Sequence, residues 1–414
     1  MAAKIKSKII ELAKRHHALM RLLRALMFVF RRVKYFLCGI GITADEKTVI
    51  FESFMGRSYS DNPRALYEAM LRDPRFSDGT FVWCFTEPEK KRGFAQLDRA
   101  VLVKYGSRDY YRYYHRAGYI VSNSRIPEEI YVTKKQSYVQ TWHGTPLKKL
   151  GYDIEVEGGN AMNTVGDICR KYRSDAKRYS YLISPSQFCT DKLRSAFRLD
   201  GNAPGCEVIQ AGYPRNDFLS NYTENDVFRI KSTLGLQNET RKIRLYAPTW
   251  RDDQHRAGLG YTYECPVDFD LLREKLGGGY VILFRAHYFV ANSFDFGKYA
   301  DFIHNVSDYE DISELYAISD LLVTDYSSVF FDYAILRRPI VFYMYDYEQY
   351  AEKLRGFYLD PHSLPWPIAY TETELARYVL AARDGYNKEF YDAFLSLEDG
   401  KASERILERI RRKI

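Results

Sequence analysis

The sequence predicts an α/β protein of two doubly wound, mostly parallel sheets facing across a cleft, with a basic amphipathic helix ahead of them. Three observations carry that reading. The chain has 414 residues, more than one ordinary core holds and suited to two α/β domains of roughly 150 to 200 residues each. Short β-rich runs alternate with helical stretches along most of its length, the pattern of parallel sheets with crossover helices. The residues just after those runs are unusually polar, and open parallel sheets bind their ligands beyond the carboxyl ends of their strands.

The first element is the leader, residues 1–42. Ile5, Ile9, Leu12, Leu19, Leu23, Leu26, Phe30, Val33 and Leu37 recur at three- and four-residue intervals and form one helical stripe. Lys14, Arg21, Arg24, Arg31 and Arg32 fall on the opposite side of the wheel. An apolar face backed by cations lies in the headgroup plane of an anionic membrane. The competing reading, a helix packed on its own core with a solvated basic face, calls for interspersed acids, and Glu11 is the only one in the leader. The longest apolar run, Ala25 to Phe30, stops at Arg31 and Arg32, so neither a membrane span nor a signal peptide is expected.

This leader also explains the net charge of +7. Lysines and arginines crowd residues 1–42, and the rest of the chain is slightly acidic. Such a body has no electrostatic reason to track a polyphosphate backbone, so nucleic acid is not an expected partner. The apolar content of 46% and aromatic content of 16% supply surface to bury and exclude a disordered chain. The six cysteines have no CxxC spacing and do not cluster with histidine, as expected of reducing cytosol without a zinc site or a disulfide framework.

The first domain is expected over residues 43–225, with strands at Thr48–Phe54, Thr80–Phe85, Val101–Tyr105, Tyr119–Ser122, Tyr138–Thr141, Tyr181–Ser184 and Val208–Gln210. The polar stretch Asn221–Lys242 reads as a helix and connector. The second domain, 240–385, has strands at Arg244–Ala247, Tyr280–Phe284, Leu321–Thr324 and Ile340–Tyr343, and residues 386–414 form a helical tail.

Chemistry is sought at the strand ends. In Gln140–Gly151 (QTWHGTPLKKLG), His143 follows a strand directly. Imidazole titrates near neutrality and takes a proton from an attacking hydroxyl. Gly144 permits close approach of a substrate; Thr145 follows it, and Lys148 with Lys149 adds positive charge, either for an anionic acceptor or as a simple solvated pair. In Tyr280–His287 (YVILFRAH), Arg285 and His287 share one side of an extended chain, placed either to balance charge on a leaving diphosphate or as a surface arginine with an incidental histidine. In Leu321–Leu336 (LLVTDYSSVFFDYAIL), a strand runs into Ser327 and Ser328 and then an apolar helix carrying Asp332. A helix start with free NH groups and hydroxyls cradles phosphate, while serine is equally a favoured plain N-cap. The close acidic pair Asp252–Asp253 reads as loop solvation, and no essential metal or cofactor is expected.

Taken together, WHGTPLKKLG (Trp142–Gly151), YAPTWRDD (Tyr246–Asp253), FRAHY (Phe284–Tyr288), DISELYAISDLLVTDYSSVFFDYA (Asp311–Ala334) and RRPIVFYMYD (Arg337–Asp346) resemble the CDP-glycerol glycerophosphotransferase family of teichoic acid polymerases and primases. The resemblance implies a GT-B-like pair of Rossmann domains, with the CDP-linked donor bound mainly to the second. It implies that His143 is the general base and His287 a second essential histidine. Ser327, Ser328 and Asp332 match the family's donor segment, and Trp250 and Arg251 lie in a family motif read as near the donor. It further implies transfer of glycerol phosphate from CDP-glycerol to a lipid-linked polyol-phosphate acceptor, with release of CMP, by a peripheral enzyme on the cytoplasmic face of the membrane. Because the chain opens on a short leader, polymerase, primase and single-addition roles all stay open. CDP-ribitol or a nucleotide sugar as donor is the alternative on the same scaffold, and a membrane adaptor without catalysis is the non-enzyme rival.

Overall fold

The computed structural model describes residues 17–155, 164–249, 255–256, 260–261, 267–286, 295–348 and 356–411. In the first half, β1 (Asp45–Glu52), β2 (Thr80–Phe85), β3 (Ala100–Lys104), β4 (Ala117–Ser122), β5 (Ser137–Gln140), β6 (Tyr181–Ser184) and β7 (Glu207–Gln210) form one sheet. Its order is β3-β2-β1-β4-β5-β6-β7 and every pairing is parallel. Runs such as Phe81–Phe85 are buried throughout, as strands covered by helices on both faces must be.

In the second half, β8 (Lys242–Ala247), β9 (Tyr280–Phe284), β10 (Ile303–Asn305), β11 (Leu321–Thr324), β12 (Ile340–Tyr343) and β13 (Ile368–Ala369) follow. They pair in parallel in the order β10-β9-β8-β11-β12-β13. The short strands β10 and β13 have no counterpart in the sequence reading; three and two residues are too few to display a period.

Each sheet reverses its strand order once, between β1 and β4 in the first and between β8 and β11 in the second. At such a switch point the flanking connections leave in opposite directions and open a crevice at the carboxyl ends. The residues that close these four strands therefore frame the two crevices.

The tail does more than extend the second domain. Helix Lys388–Phe394 sets Phe390 and Phe394 against Phe331, and Phe394 also meets Phe188 of the first half at 5.2 Å. Helix Ala402–Arg411 then buries Ile406, Leu407 and Ile410 in the first core. The chain thus crosses between the halves twice.

Helix His17–Cys38 lies against helix Arg108–Arg116 through the side that carries Tyr35. Tyr35 stacks on His115 at 4.0 Å and its hydroxyl donates to the Tyr131 carbonyl at 2.9 Å. The predicted stripe points the other way, with Leu26 57% exposed, Phe30 70% and Leu37 63%. Arg32 lies on the side opposite the stripe, as the wheel places it, and is half-buried there: its guanidinium donates to the Glu129 carbonyl at 2.8 Å and lies over the Tyr131 ring, because its position on the wheel is close to that of Tyr35. Arg31 is exposed. Lys14 and the side chains of Arg21 and Arg24 lie outside the described residues. Among the described residues no helix is long and apolar enough to cross a membrane.

Candidate active site

The carboxyl end of β5 leads into His143 through a strained turn. Trp142 adopts φ 54°, a left-handed conformation unfavourable for a bulky residue. Its amide donates to Gln140 Oε1 at 2.9 Å, and its carbonyl accepts from Asn62 Nδ2 at 3.0 Å. Strain of this kind persists only where neighbours over-determine it, and it concentrates at functional sites. The turn presents the His143 ring, stacked on Trp142 at 4.6 Å and edge-on to Phe54 at 6.0 Å.

His143 Nδ1 sits 2.7 Å from the carbonyl oxygen of Asn123, directly beyond β4. A carbonyl only accepts, so Nδ1 carries the hydrogen and Nε2 keeps its lone pair. The ring is exposed within a crevice crowded by protein. Burial among these groups pushes its pKa below the ordinary 6.5, against the hydrogen bond to Asn123 and the charge of Asp61, which raise it. The imidazole is therefore neutral at neutral pH, as a proton acceptor must be.

Asn123 also holds the far wall. Its Oδ1 accepts from the Phe54 amide at 2.8 Å, and Ser124 Oγ accepts from Met55 at 3.1 Å. Phe54, Met55 and Gly56 all have positive φ, at 46°, 58° and 78°, which folds the chain tightly over the end of β1 beside the imidazole.

The second half meets this loop directly. A Cβ on Gly144 would lie 2.6 Å from Ser328 Oγ, so the residue after His143 touches the serine pair beyond β11. Ser328 occupies the N-cap of helix Val329–Tyr333 and makes no side-chain cap bond. Ser327 Oγ reaches the Val329 amide only at 3.5 Å, the outer limit of a hydrogen bond. Neither hydroxyl is held by strong capping, which weighs against the plain-cap reading. Thr145 is buried, and the segment around Lys148 pairs with the second half: Lys149 N donates to Gly356 O at 3.1 Å and Tyr358 N to Leu147 O at 2.8 Å.

Arg285 stands at the end of β9, where its Nη1 donates to the carbonyls of Val306 and Tyr309 at 2.9 and 2.6 Å. It braces that loop and brings a positive charge to the carboxyl edge, although burial lowers its pKa. Asp332 turns toward the first half. Its carboxylate is buried and receives Arg215 Nε and Nη2 at 3.1 and 3.0 Å and Asn216 Nδ2 at 3.1 Å. A carboxylate beside a diphosphate would repel it, and here the charge is balanced by an arginine of the first half. His287, Trp250 and Arg251 lie outside the described residues. Among the described residues no three His, Cys, Asp or Glu side chains group to hold a metal ion.

Sequence reasoning passed over Asp61, Asn62, Asn123 and Arg215. The signal that found His143 was available for two of them, since Asn123 directly follows β4 and Arg215 lies in the turn after β7.

The comparisons agree with this fold. The family CDP-Glycerol:Poly(glycerophosphate) glycerophosphotransferase matches residues 35–412. A teichoic acid poly(glycerol phosphate) polymerase of Staphylococcus epidermidis is 40% identical over 89% of this chain and 51% of its own length. A teichoic acid glycerol-phosphate transferase of Staphylococcus aureus is 38% identical over 88% of this chain and 93% of its own. The solved wall teichoic acid polymerase TagF superposes with a TM-score of 0.80 at 36% identity, over 97% of this chain and 98% of that one. The chain spans about half the length of the polymerases it matches in S. epidermidis and Bacillus subtilis. With the two-sheet GT-B-like fold and the histidine loop set against the serine pair, the chain belongs to the CDP-glycerol:poly(glycerophosphate) glycerophosphotransferase family.

Proposed function

We propose that this protein transfers glycerol phosphate from CDP-glycerol to a hydroxyl of a polyol-phosphate acceptor and releases CMP. The observation that carries the reading is the contact of Gly144 with Ser328, which brings the loop of His143 from one half up to the Ser327–Ser328 turn of the other. The acceptor oxygen attacks the β-phosphorus in line, and a new P–O bond forms as the bond to CMP breaks. Nε2 of His143 takes the hydroxyl proton, and the resulting imidazolium is stabilised by the Asn123 carbonyl and by Asp61. Ser327 and Ser328 donate to phosphoryl oxygens and Arg285 offsets the charge that grows on CMP; His287, Trp250 and Arg251, outside the described residues, are assigned to the donor by the family motifs they lie in. Gly144, Thr145 and Lys148 shape the acceptor side.

The exposed apolar face of helix His17–Cys38 supports attachment to the surface of an anionic membrane, at its cytoplasmic face, where a lipid-linked acceptor is presented. A ligand that binds the folded state raises its melting temperature, so CDP-glycerol, CDP-ribitol and a nucleotide sugar are compared by thermal shift. Release of CMP is then measured with a lipid-linked acceptor. The reading predicts the largest shift and CMP formation with CDP-glycerol; CMP release from CDP-ribitol alone would replace the donor, and release from neither would end the proposal.

A further inference from the structure

One buried arginine ties both halves of the site together. Arg215 is 5% exposed and its guanidinium spans the boundary, with Nε and Nη2 on Asp332 and Nη1 on Asp61 Oδ2 at 3.2 Å. Asp332 lies in the helix that Ser328 begins. On the other side, the Arg215 amide donates to Asn62 Oδ1 at 3.1 Å, and Asn62 Nδ2 donates to the carbonyls of Thr141 and Trp142 at 3.3 and 3.0 Å. An unbroken series of polar contacts thus runs from the serine helix through Asp332, Arg215 and Asn62 to the residue before His143.

We infer that Arg215 is a positioning residue for the transfer proposed above: its fork sets His143 against Ser327 and Ser328, and its charge balances that of Asp61 beside the imidazole. The inference rests on the reading of His143 as the base. A planar guanidinium suits the task because its five donors have a fixed geometry, which an ammonium lacks. Burial opposes its charge, yet Asp332 and Asp61 more than offset that cost and hold it protonated. Charges from three elements act on the His143 ring. Asp61, at the start of helix Asp61–Arg72, favours the imidazolium; Arg215 and Arg125, beyond β7 and β4, disfavour it.

A residue that merely stabilised the fold would lower activity without moving the titration of another group. The test therefore measures CMP release, with the pH profile of kcat/KM, for the wild type, Arg215→Lys, Arg215→Gln, Asp61→Asn and His143→Ala. Melting temperature and CDP-glycerol binding report folding. Arg215→Lys keeps the charge and loses the fork, so kcat should fall by roughly 10- to 100-fold with the donor KM and the acid limb close to wild type. Arg215→Gln leaves Asp61 unbalanced and should move the acid limb to higher pH; Asp61→Asn should move it to lower pH. Wild-type kcat in Arg215→Lys, or acid limbs of the other two variants that coincide with wild type, overturns the inference. If Arg215→Gln fails to fold, Asp61→Asn and Arg215→Lys decide between the same two outcomes. Full activity in His143→Ala removes the base reading itself and is recognised separately, because it leaves no imidazole for either charge to tune.

Discussion

The α-carbon of Gly144 and the side chain of Ser328 meet so closely that a Cβ on residue 144 would stand 2.6 Å from Ser328 Oγ and 3.3 Å from Ser328 Cβ. These residues come from different halves, so a methyl group at residue 144 would force the Ser328 hydroxyl, or the contact between the halves, to shift. Gly144→Ala should hold them apart and lower kcat by about 10- to 100-fold, since a displacement near 1 Å is enough for losses of that size. Adding Ser328→Gly removes both crowding atoms and should restore part of the rate despite the lost hydroxyl. Single-turnover rates of the two single variants and the double variant check this, and a double variant no faster than Gly144→Ala would refute it.

Nδ1 of His143 is tied to the Asn123 carbonyl, which leaves Nε2 as the proton acceptor. His143→Ala should reduce turnover by about 10²- to 10⁴-fold while CDP-glycerol still raises the melting temperature. Burial lowers the pKa of the ring, and only the neutral form accepts a proton. Activity is therefore retained through neutrality and lost as pH falls through a value below 6.5. An acid limb above 6.5 would contradict the assignment.

Glu398 sits where the chain crosses back to the first half, its Oε1 accepting from the Tyr213 amide and from Asn216 Nδ2, both at 3.1 Å. Burial raises its pKa to about 8. A carboxyl whose folded pKa exceeds its unfolded value binds its proton better when folded. Its contribution is thus complete below pH 4.5 and is lost as pH climbs to about 8, by at most ~1.4 kcal/mol per pH unit. Glu398→Gln mimics the protonated form and should flatten this decline, so that the variant gains on the wild type between pH 6 and pH 8. Urea denaturation across that range measures the difference.

On the apolar face of helix His17–Cys38, Phe30 is 70% exposed and Leu26 57%, so most of each side chain faces solvent. Leu26→Asp with Phe30→Asp should leave stability within about 0.5 kcal/mol per site and weaken cosedimentation with anionic vesicles. Arg32→Ala should do the reverse, lowering the melting temperature through loss of its bond to the Glu129 carbonyl. Equal vesicle binding by the aspartate double variant and the wild type would count against membrane attachment through this face.

How much of this was legible in advance follows from the range of the interactions involved. Strand edges were read within a few residues because alternation of buried runs and helices is a local property, visible in segments such as Thr80–Phe85. His143, Ser327 and Ser328 were singled out as candidates because a doubly wound sheet presents its chemistry just after its strands, and their positions beyond β5 and β11 follow from sequence order alone. The strands β10 and β13 were missed because they are shorter than any recognisable period.

The sequence by itself determined the α/β alternation, the basic leader with its apolar stripe, and the residue types available at each strand end, since all of these depend on neighbours a few positions apart. Only the tertiary structure decided that Arg32 bonds the Glu129 carbonyl, that Asp332 pairs with Arg215, that Gly144 meets Ser328 and that the tail returns to the first core. Each of those contacts joins segments tens to hundreds of residues apart. Which distant carboxylate a buried arginine finds is settled by packing two sheets against each other, where an unpaired charge is too costly to leave.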